Sequence, residues 1–146
     1  MAVPTGSGTE TLHSHWFYDV NSAQTLIFGA QHHIYTVLSM IICCRALNAS
    51  TDFCYVNFKG KDGHAGSSGS LGRIVRVNIP VGETFVWNDK FSFNGYESTG
   101  TNVLSASEQI ALSAQGGSVA QELKFDCEHA SDKFDIMVSY IDQDWS

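Results

Sequence analysis

The chain has 146 residues, and its 8 Lys and Arg against 15 Asp and Glu give a formal net charge of −7. This length suits one domain and argues against two separately folding units. So few basic residues do not build the positive track that phosphate contacts require, so no nucleic-acid partner is expected. Only 16% of the residues are charged and 12% are aromatic, as in sheet proteins with weakly charged surfaces.

The first residues, 1–8, contain neither the basic nor the apolar stretch of a signal peptide. We therefore expect synthesis in the cytoplasm, a flexible arm over residues 1–10 and a single domain over 11–146. The most apolar run, VLSMIICC at 37–44, has eight residues, whereas a spanning helix needs roughly twenty. No membrane partner is expected, and the run is interpreted as a buried strand.

The first predicted strand covers residues 11–18. Alternation along it sorts its side chains into two faces, Leu12, Trp16 and Tyr18 on one and His13, His15 and Phe17 on the other. The strand predicted at 33–44 is apolar on both faces, which indicates a central strand covered on both sides. Strict alternation along this strand places Tyr35 and Val37 on one face and Met40 and Ile42 on the other.

Further short β-prone runs follow, each bounded by turn residues. They lie at 25–28, 53–59, 71–79, 83–87, 91–93, 121–126 and 134–141. The Gly- and Ser-rich stretch 60–70 is predicted to be a mobile loop. Residues 109–115 fit either two helical turns or a strand over 109–114. In all, eight or nine short strands predict an all-β, two-sheet antiparallel sandwich of jelly-roll or immunoglobulin-like type.

Three segments carry a family resemblance: IPVGETFVWNDKFSF at 79–93, LSASEQIALSA at 104–114 and FDIMVSYID at 134–142. In this pattern the chain resembles small β-sandwich virion proteins of tailed bacteriophages, over roughly residues 12–142. Ser107 stands where that family often has glycine. The resemblance favours the strand at 109–114.

The resemblance implies a non-enzymatic structural subunit of the virion, without a cofactor. Such proteins decorate the capsid or belong to the collar, neck, tail or fibre, usually as symmetric oligomers. The expected partners are other copies of the chain, with a trimer favoured, and the major capsid, neck or tail proteins.

Four aromatic residues are candidates for the subunit interface: Trp16, Trp87, Trp145 and Tyr96. Trp16 and Trp87 lie within apolar alternation, which suits a core or an interface. Exposed aromatic rings beside Asp and Asn side chains also suit sugar stacking. The alternative function is therefore a carbohydrate-binding receptor module of a tail fibre or spike.

His13 and His15 lie on one face of a strand, where two imidazoles can bind one metal ion. This pair resembles the first half of a cupin motif, but Phe85 occupies the ligand position of the second half. A cupin-like metal enzyme therefore ranks behind the structural and sugar-binding hypotheses. Asp142 and Asp144 are a candidate acid–base pair for catalysis, although carboxylates at the end of a strand are usually just solvated.

Cysteines stand at positions 43, 44, 54 and 127. Without a secretory signal they are interpreted as reduced, buried thiols. The adjacent Cys43 and Cys44 point to opposite faces of a strand, and no CxxC pair suggests zinc. A Cys44–Cys54 disulfide remains open if the segment between them forms a hairpin.

Overall fold

A computed structural model describes residues 9–60, 71–96 and 120–144, and the regular elements in these ranges are nine β-strands. They are β1 (Thr9–Val20), β2 (Gln24–Phe28), β3 (His33–Ala46), β4 (Cys54–Lys59), β5 (Leu71–Val77), β6 (Thr84–Trp87), β7 (Phe91–Asn94), β8 (Glu122–Cys127) and β9 (Lys133–Asp144). The strands predicted from the sequence match these elements to within a few residues. Most of the predicted arm, most of the predicted loop and the ambiguous segment around Ser107 lie outside the described residues.

Two antiparallel sheets face each other. The first sheet has the order β1-β9-β3-β6, with β7 pairing β3 next to β6, and the second has the order β2-β8-β4-β5. Since β6 pairs residues 40–43 of β3 and β7 pairs residues 34–37, the two act as halves of one strand. The predicted two-sheet sandwich is confirmed.

The pairing is nested. β1 pairs β9, β2 pairs β8, β3 pairs β6 and β7, and β4 pairs β5. The chain thus forms one long antiparallel hairpin that is folded over on itself, and β9–β3 and β8–β4 pairing closes the two sheets. Of the two predicted topologies, this is the jelly roll.

Alternating apolar side chains build the core between the sheets. On β9, Phe134, Ile136 and Val138 are fully buried, and Tyr140 is nearly so, as the half-buried pattern of this strand predicts. From the second sheet, Phe125 meets Phe134 edge to face at a centroid distance of 5.2 Å. The outward side chains of β9 are therefore residues 135, 137, 139 and 141.

β3 departs from strict alternation. Its register against β9 shifts between Val37 and Ser39, so a bulge inserts one extra residue. As a result Val37, Met40 and Ile42 are all fully buried, and Tyr35 is nearly so. The prediction that Tyr35 and Val37 face away from Met40 and Ile42 is wrong. The bulge exchanges the inward and outward positions midway along the strand, so all four side chains face the core.

Three backbone segments cross closely at one end of the sandwich. A Cβ atom placed on Gly95 would lie 1.8 Å from the Ala30 carbonyl oxygen, and one on Gly29 would lie 2.0 Å from that of Gly95. The Gln121 amide donates to the Gly95 carbonyl at 2.8 Å, and the Gly29 amide donates to the Gln121 carbonyl at 2.9 Å. Only glycine allows this approach.

Candidate interaction surface

A row of apolar side chains crosses the outer face of the first sheet. Trp16 on β1 lies opposite Met137 on β9, Met137 lies opposite Ile41 on β3, and Ile41 lies opposite Val86 on β6. Trp16 is 66% exposed, Val86 55% and Met137 38%. Within the described part of the chain, no element covers this row. The expectation that β3 is covered on both sides is therefore not met at Ile41.

The exposed apolar surface concentrates on this face. Eight large hydrophobic side chains among the described residues are exposed, and five of them belong here: Leu12, Trp16, Tyr18, Val86 and Met137. Beside the row lies an open depression of about 450 Å³, lined by Trp16, Ile41, Cys43, Asp135 and Met137. The sequence placed Leu12, Trp16 and Tyr18 on one face of β1, and the structure agrees.

A charged cluster fixes one border of the row. Arg45 pairs with Asp19, its Nε lies 3.7 Å from Oδ2 of Asp135, and its guanidinium lies 4.7 Å from the centre of the Tyr18 ring. Asp135 also accepts the Asp19 amide at 3.0 Å. Asp19 has a φ of 52°, within the irregular stretch between Phe17 and Val20. These contacts hold the bulged end of β1, and Tyr18 with it, against β3 and β9.

Small hydroxyl side chains form the opposite border. Ser14 and Ser139 lie opposite each other on β1 and β9, with their Oγ atoms 2.9 Å apart. On β3 and β7, Thr36 and Ser92 hydroxyls are 2.8 Å apart. Because these groups satisfy one another and are short, another surface can approach the apolar row closely from this side.

The outer face of the second sheet has a different character. Arg73 stacks on Tyr55 at 3.8 Å, Arg76 stacks on Phe53 at 3.8 Å, and Nζ of Lys59 lies 3.3 Å from Oε2 of Glu122. Tyr55 and Phe53 are thus covered by arginine side chains, although Phe28 on β2 is 67% exposed on the same sheet.

The other predicted interface residues lie elsewhere. Trp87 is half-buried, packs against the core and donates its Nε1 hydrogen to the Asp89 carbonyl at 2.8 Å. Tyr96 is half-buried and forms an isolated antiparallel bridge with Ala120. Trp145 lies outside the described residues. Of the three candidates that the structure describes, only Trp16 lies on the apolar row, and the three do not form one cluster.

His13 and His15 lie on the inward-facing side of β1, near its free edge. Their ring centroids are 5.6 Å apart, and His13 stacks on Tyr140 at 5.0 Å. The pKa of Tyr140 is raised by burial and by the charge of Asp142. In the described parts of the chain, no group of three or more His, Cys, Asp or Glu side chains is arranged to hold a metal ion.

Asp142 and Asp144 flank an imidazole at the end of the first sheet. Nδ1 of His33 is 2.7 Å from Asp142, and its Nε2 is 3.6 Å from Asp144. Next to them, burial and the neighbouring Asp142 charge raise the pKa of Tyr35 to about 12, and its hydroxyl accepts the Ala30 amide at 3.0 Å. The sequence named the two carboxylates as a pair but did not connect them to His33, because this contact depends on β3–β9 register.

All four cysteines are free thiols. Cys44 and Cys54 are buried, whereas Cys43 and Cys127 are partly exposed. Cys44 lies on β3 in the first sheet and Cys54 on β4 in the second, so the segment between them is not a hairpin.

The fold and this surface define a class: an all-β jelly-roll domain that presents one apolar outer sheet face. None of the described elements is a helix long and apolar enough to cross a membrane. No family model matches the chain, and no curated protein matches it.

Among solved structures, the chain is similar to one from Bacillus endospore appendages, a family of disulfide-linked pili, with a TM-score of 0.42 and 10% identity over 100% of this chain and 97% of that chain. It is also similar to a chain of infectious bursal disease virus, Gx strain, with a TM-score of 0.41 and 6% identity. That match covers 93% of this chain but only 29% of the viral chain.

Proposed function

We propose that this protein is a non-enzymatic structural subunit of a tailed-phage virion, of the capsid-decorating or the collar, neck or tail-associated type. The observation that carries the assembly role is the apolar row from Trp16 to Val86 on the outer face of the first sheet, which none of the described elements covers. Burying apolar surface is favourable by about 25 cal/mol per Å², and contiguous exposed apolar surface marks interaction sites. The phage assignment rests on the sequence resemblance.

The first occupant of the row is a second copy of the chain. A two-fold axis parallel to the strands would place Trp16 of one copy over Val86 of the other, and Met137 over Ile41. The largest side chain of the row then meets the smallest, and the strands of the two facing sheets stay aligned, as in packed sheets generally. Because each chain carries a net charge of −7, self-association requires a contact region of low charge, and the row itself is uncharged.

Light scattering coupled to size exclusion tests this assembly. We expect the wild-type protein to elute as a closed oligomer and Met137→Lys to elute as a folded monomer, because the substitution puts a charge in the middle of the row. Phe28→Ser is the matched control, since Phe28 is 67% exposed but lies on β2 in the other sheet; it should behave as wild type. The mass also separates a two-fold pair from the trimer that the resemblance favours.

A wild-type protein that stays monomeric at high concentration would contradict self-assembly, and dissociation by Phe28→Ser instead of Met137→Lys would place the contact on the other sheet. The virion role needs a separate test. Tryptic peptides of this chain should be found in purified phage particles from lysates in which it is made. Their recovery only from the free protein fraction would contradict the virion assignment.

The same face supports a second candidate function, carbohydrate binding. Trp16 and Tyr18 are both exposed, with ring centroids 5.7 Å apart, and Asp135 lines the adjoining depression. Exposed rings beside a carboxylate suit stacking on a sugar and hydrogen bonding to its hydroxyls. A glycan screen with wild type and Trp16→Ala tests this: binding that Trp16→Ala abolishes supports a receptor module, and no binding across the screen contradicts it.

A further inference from the structure

Two cysteines lie directly opposite each other in the second sheet. Cys54 begins β4, Cys127 ends β8, and the two are antiparallel partners. The adjacent pair on the same face is Val56 and Phe125, both fully buried, so both thiols point toward the interior of the sandwich. The arrangement had no signal in the sequence, because the two residues are far apart in the chain.

The spacing of such partners fits a disulfide. Directly opposed residues of antiparallel strands have Cα atoms about 4.5 or 5.5 Å apart, and disulfides join Cα atoms about 4.4–6.8 Å apart. We propose that Cys54 and Cys127 are a latent cross-link, which closes by exchange with a small-molecule disulfide.

The competing partner for Cys54 is Cys44. Cys44 is fully buried, and after burial itself its charge raises the pKa of Cys54 more than the charge of Cys127 does. However, it belongs to the facing sheet, and facing sheets are about 10 Å apart, beyond the Cα separation of about 7 Å that a disulfide tolerates. Geometry therefore favours Cys127 over Cys44.

The two thiols differ in solvent exposure, and this difference decides which of them reacts first with the reagent disulfide. Cys127 is partly exposed, whereas Cys54 is 1% exposed. The Cys127 thiolate attacks the reagent disulfide first, forming a mixed disulfide and releasing one small thiol. The Cys54 thiolate then attacks the Cys127 sulfur and releases the second small thiol. The protein loses two hydrogens in total, and the reagent is reduced to two thiols.

Burial makes this exchange slow at neutral pH. It raises the pKa of Cys127 to about 11 and that of Cys54 to about 12, and the thiolate is the reactive form. The rate should rise roughly tenfold per pH unit over the mildly alkaline range, while the thiolate fraction grows in that proportion. The cross-link joins β4 to β8 in the middle of the second sheet, and its formation does not depend on the proposed assembly role.

Oxidised glutathione at mildly alkaline pH, applied to the native full chain, tests the proposal. Tryptic cleavage separates the cysteines conveniently: residues 46–59 contain only Cys54, residues 125–133 contain only Cys127, and residues 1–45 contain Cys43 and Cys44. We expect non-reduced digests to contain peptide 46–59 linked to peptide 125–133, and the buried Cys44 to remain available to alkylation after unfolding. Because Cys43 is partly exposed and can take up glutathione, the loss of two hydrogens from the intact mass is measured on Cys43→Ser.

Variants sharpen the result. Cys127→Ala and Cys54→Ala should each abolish the linked peptide, whereas Cys43→Ser, the matched control on the outer face of β3, should retain it. Peptide 46–59 linked to 1–45 would overturn the assignment, as would a chain whose four cysteines all remain alkylatable after prolonged exposure. The digest of the wild-type protein decides these outcomes even if an alanine variant does not fold.

Discussion

The carboxylate of Asp132 accepts the backbone amide of Asn48 at 2.7 Å, although 84 residues separate the two in the chain. Asp132 is fully buried, and its other oxygen accepts the amide of His129 at 3.2 Å. One side chain therefore joins the loop after β3 to the turn before β9.

Replacing Asp132 by Ala removes the charged acceptor of the Asn48 and His129 amides. We expect a loss of about 3 kcal/mol of unfolding free energy, because a hydrogen bond to a charged group contributes about 1.5–3 kcal/mol. Chemical denaturation measures it. Asp89→Ala, at an exposed position, is the control and should change the midpoint little; equal stability of the two variants would contradict the structural role of Asp132.

Gly95→Ala should be among the most destabilising single-methyl additions. The new Cβ would lie 1.8 Å from the Ala30 carbonyl oxygen, and this is backbone that cannot rotate away. A clash of this kind costs about 1–3 kcal/mol or more, so the thermal unfolding midpoint should fall. Gly72→Ala provides the comparison, since its nearest atom would be 3.8 Å from the new Cβ and its unfolding midpoint should stay close to that of wild type.

Truncation of Trp87 should lower the unfolding free energy of the monomer much more than truncation of Trp16. Trp87 packs against the core, and Trp87→Ala should cost the monomer about 3 kcal/mol. Trp16 lies on the surface, so Trp16→Ala should change monomer stability by less than about 0.5 kcal/mol. Denaturation of dilute protein gives both values. A large loss for Trp16→Ala under those conditions would mean that the ring is covered within the monomer.

Tyr35 should make the fold sensitive to alkali. Its pKa is raised to about 12 by burial and by the charge of Asp142, from an ordinary value of about 10. Between those values the native state holds a proton that the unfolded state has lost. Stability is therefore intact below pH 10 and falls as pH rises toward 12, by at most about 1.4 kcal/mol per unit for this group.

Urea unfolding of wild type and Tyr35→Phe over that range measures the effect. The variant loses the bond from the Ala30 amide, so it starts less stable, but its stability should fall less steeply with pH. Tyr18→Phe, at a 58% exposed position, should retain the wild-type slope. Parallel slopes for wild type and Tyr35→Phe would assign the alkaline loss to other groups.

Local patterns predicted the strands and much of the core, but not how distant strands meet. The alternation of Phe134, Ile136 and Val138 identified the buried side of β9 correctly. Nothing local told a jelly roll from an immunoglobulin-like sandwich, because the difference lies in which distant strands pair. The β3 bulge was also missed, since both faces of that strand are apolar and periodicity cannot show an inserted residue.

The candidate surface was predictable only in part. The sequence put Trp16 and Tyr18 on one face of β1 but did not show whether that face turns outward, because the opposite face also carries a large apolar residue, Phe17. The row that joins Trp16 to Met137 and Ile41 exists only through the register of three strands. Trp87 shows the same limit: its apolar alternation suited either a core or an interface, and only the structure shows that it packs against the core.

The nested pairing of strands constrains how the chain can fold. β3 takes one neighbour, β9, from residues 133–144, and β1 takes its partner from the same segment. During synthesis the first sheet therefore cannot close until this segment has left the ribosome. Contacts between such distant residues make folding slow, and until they form the apolar side chains of β3 are exposed to aggregation.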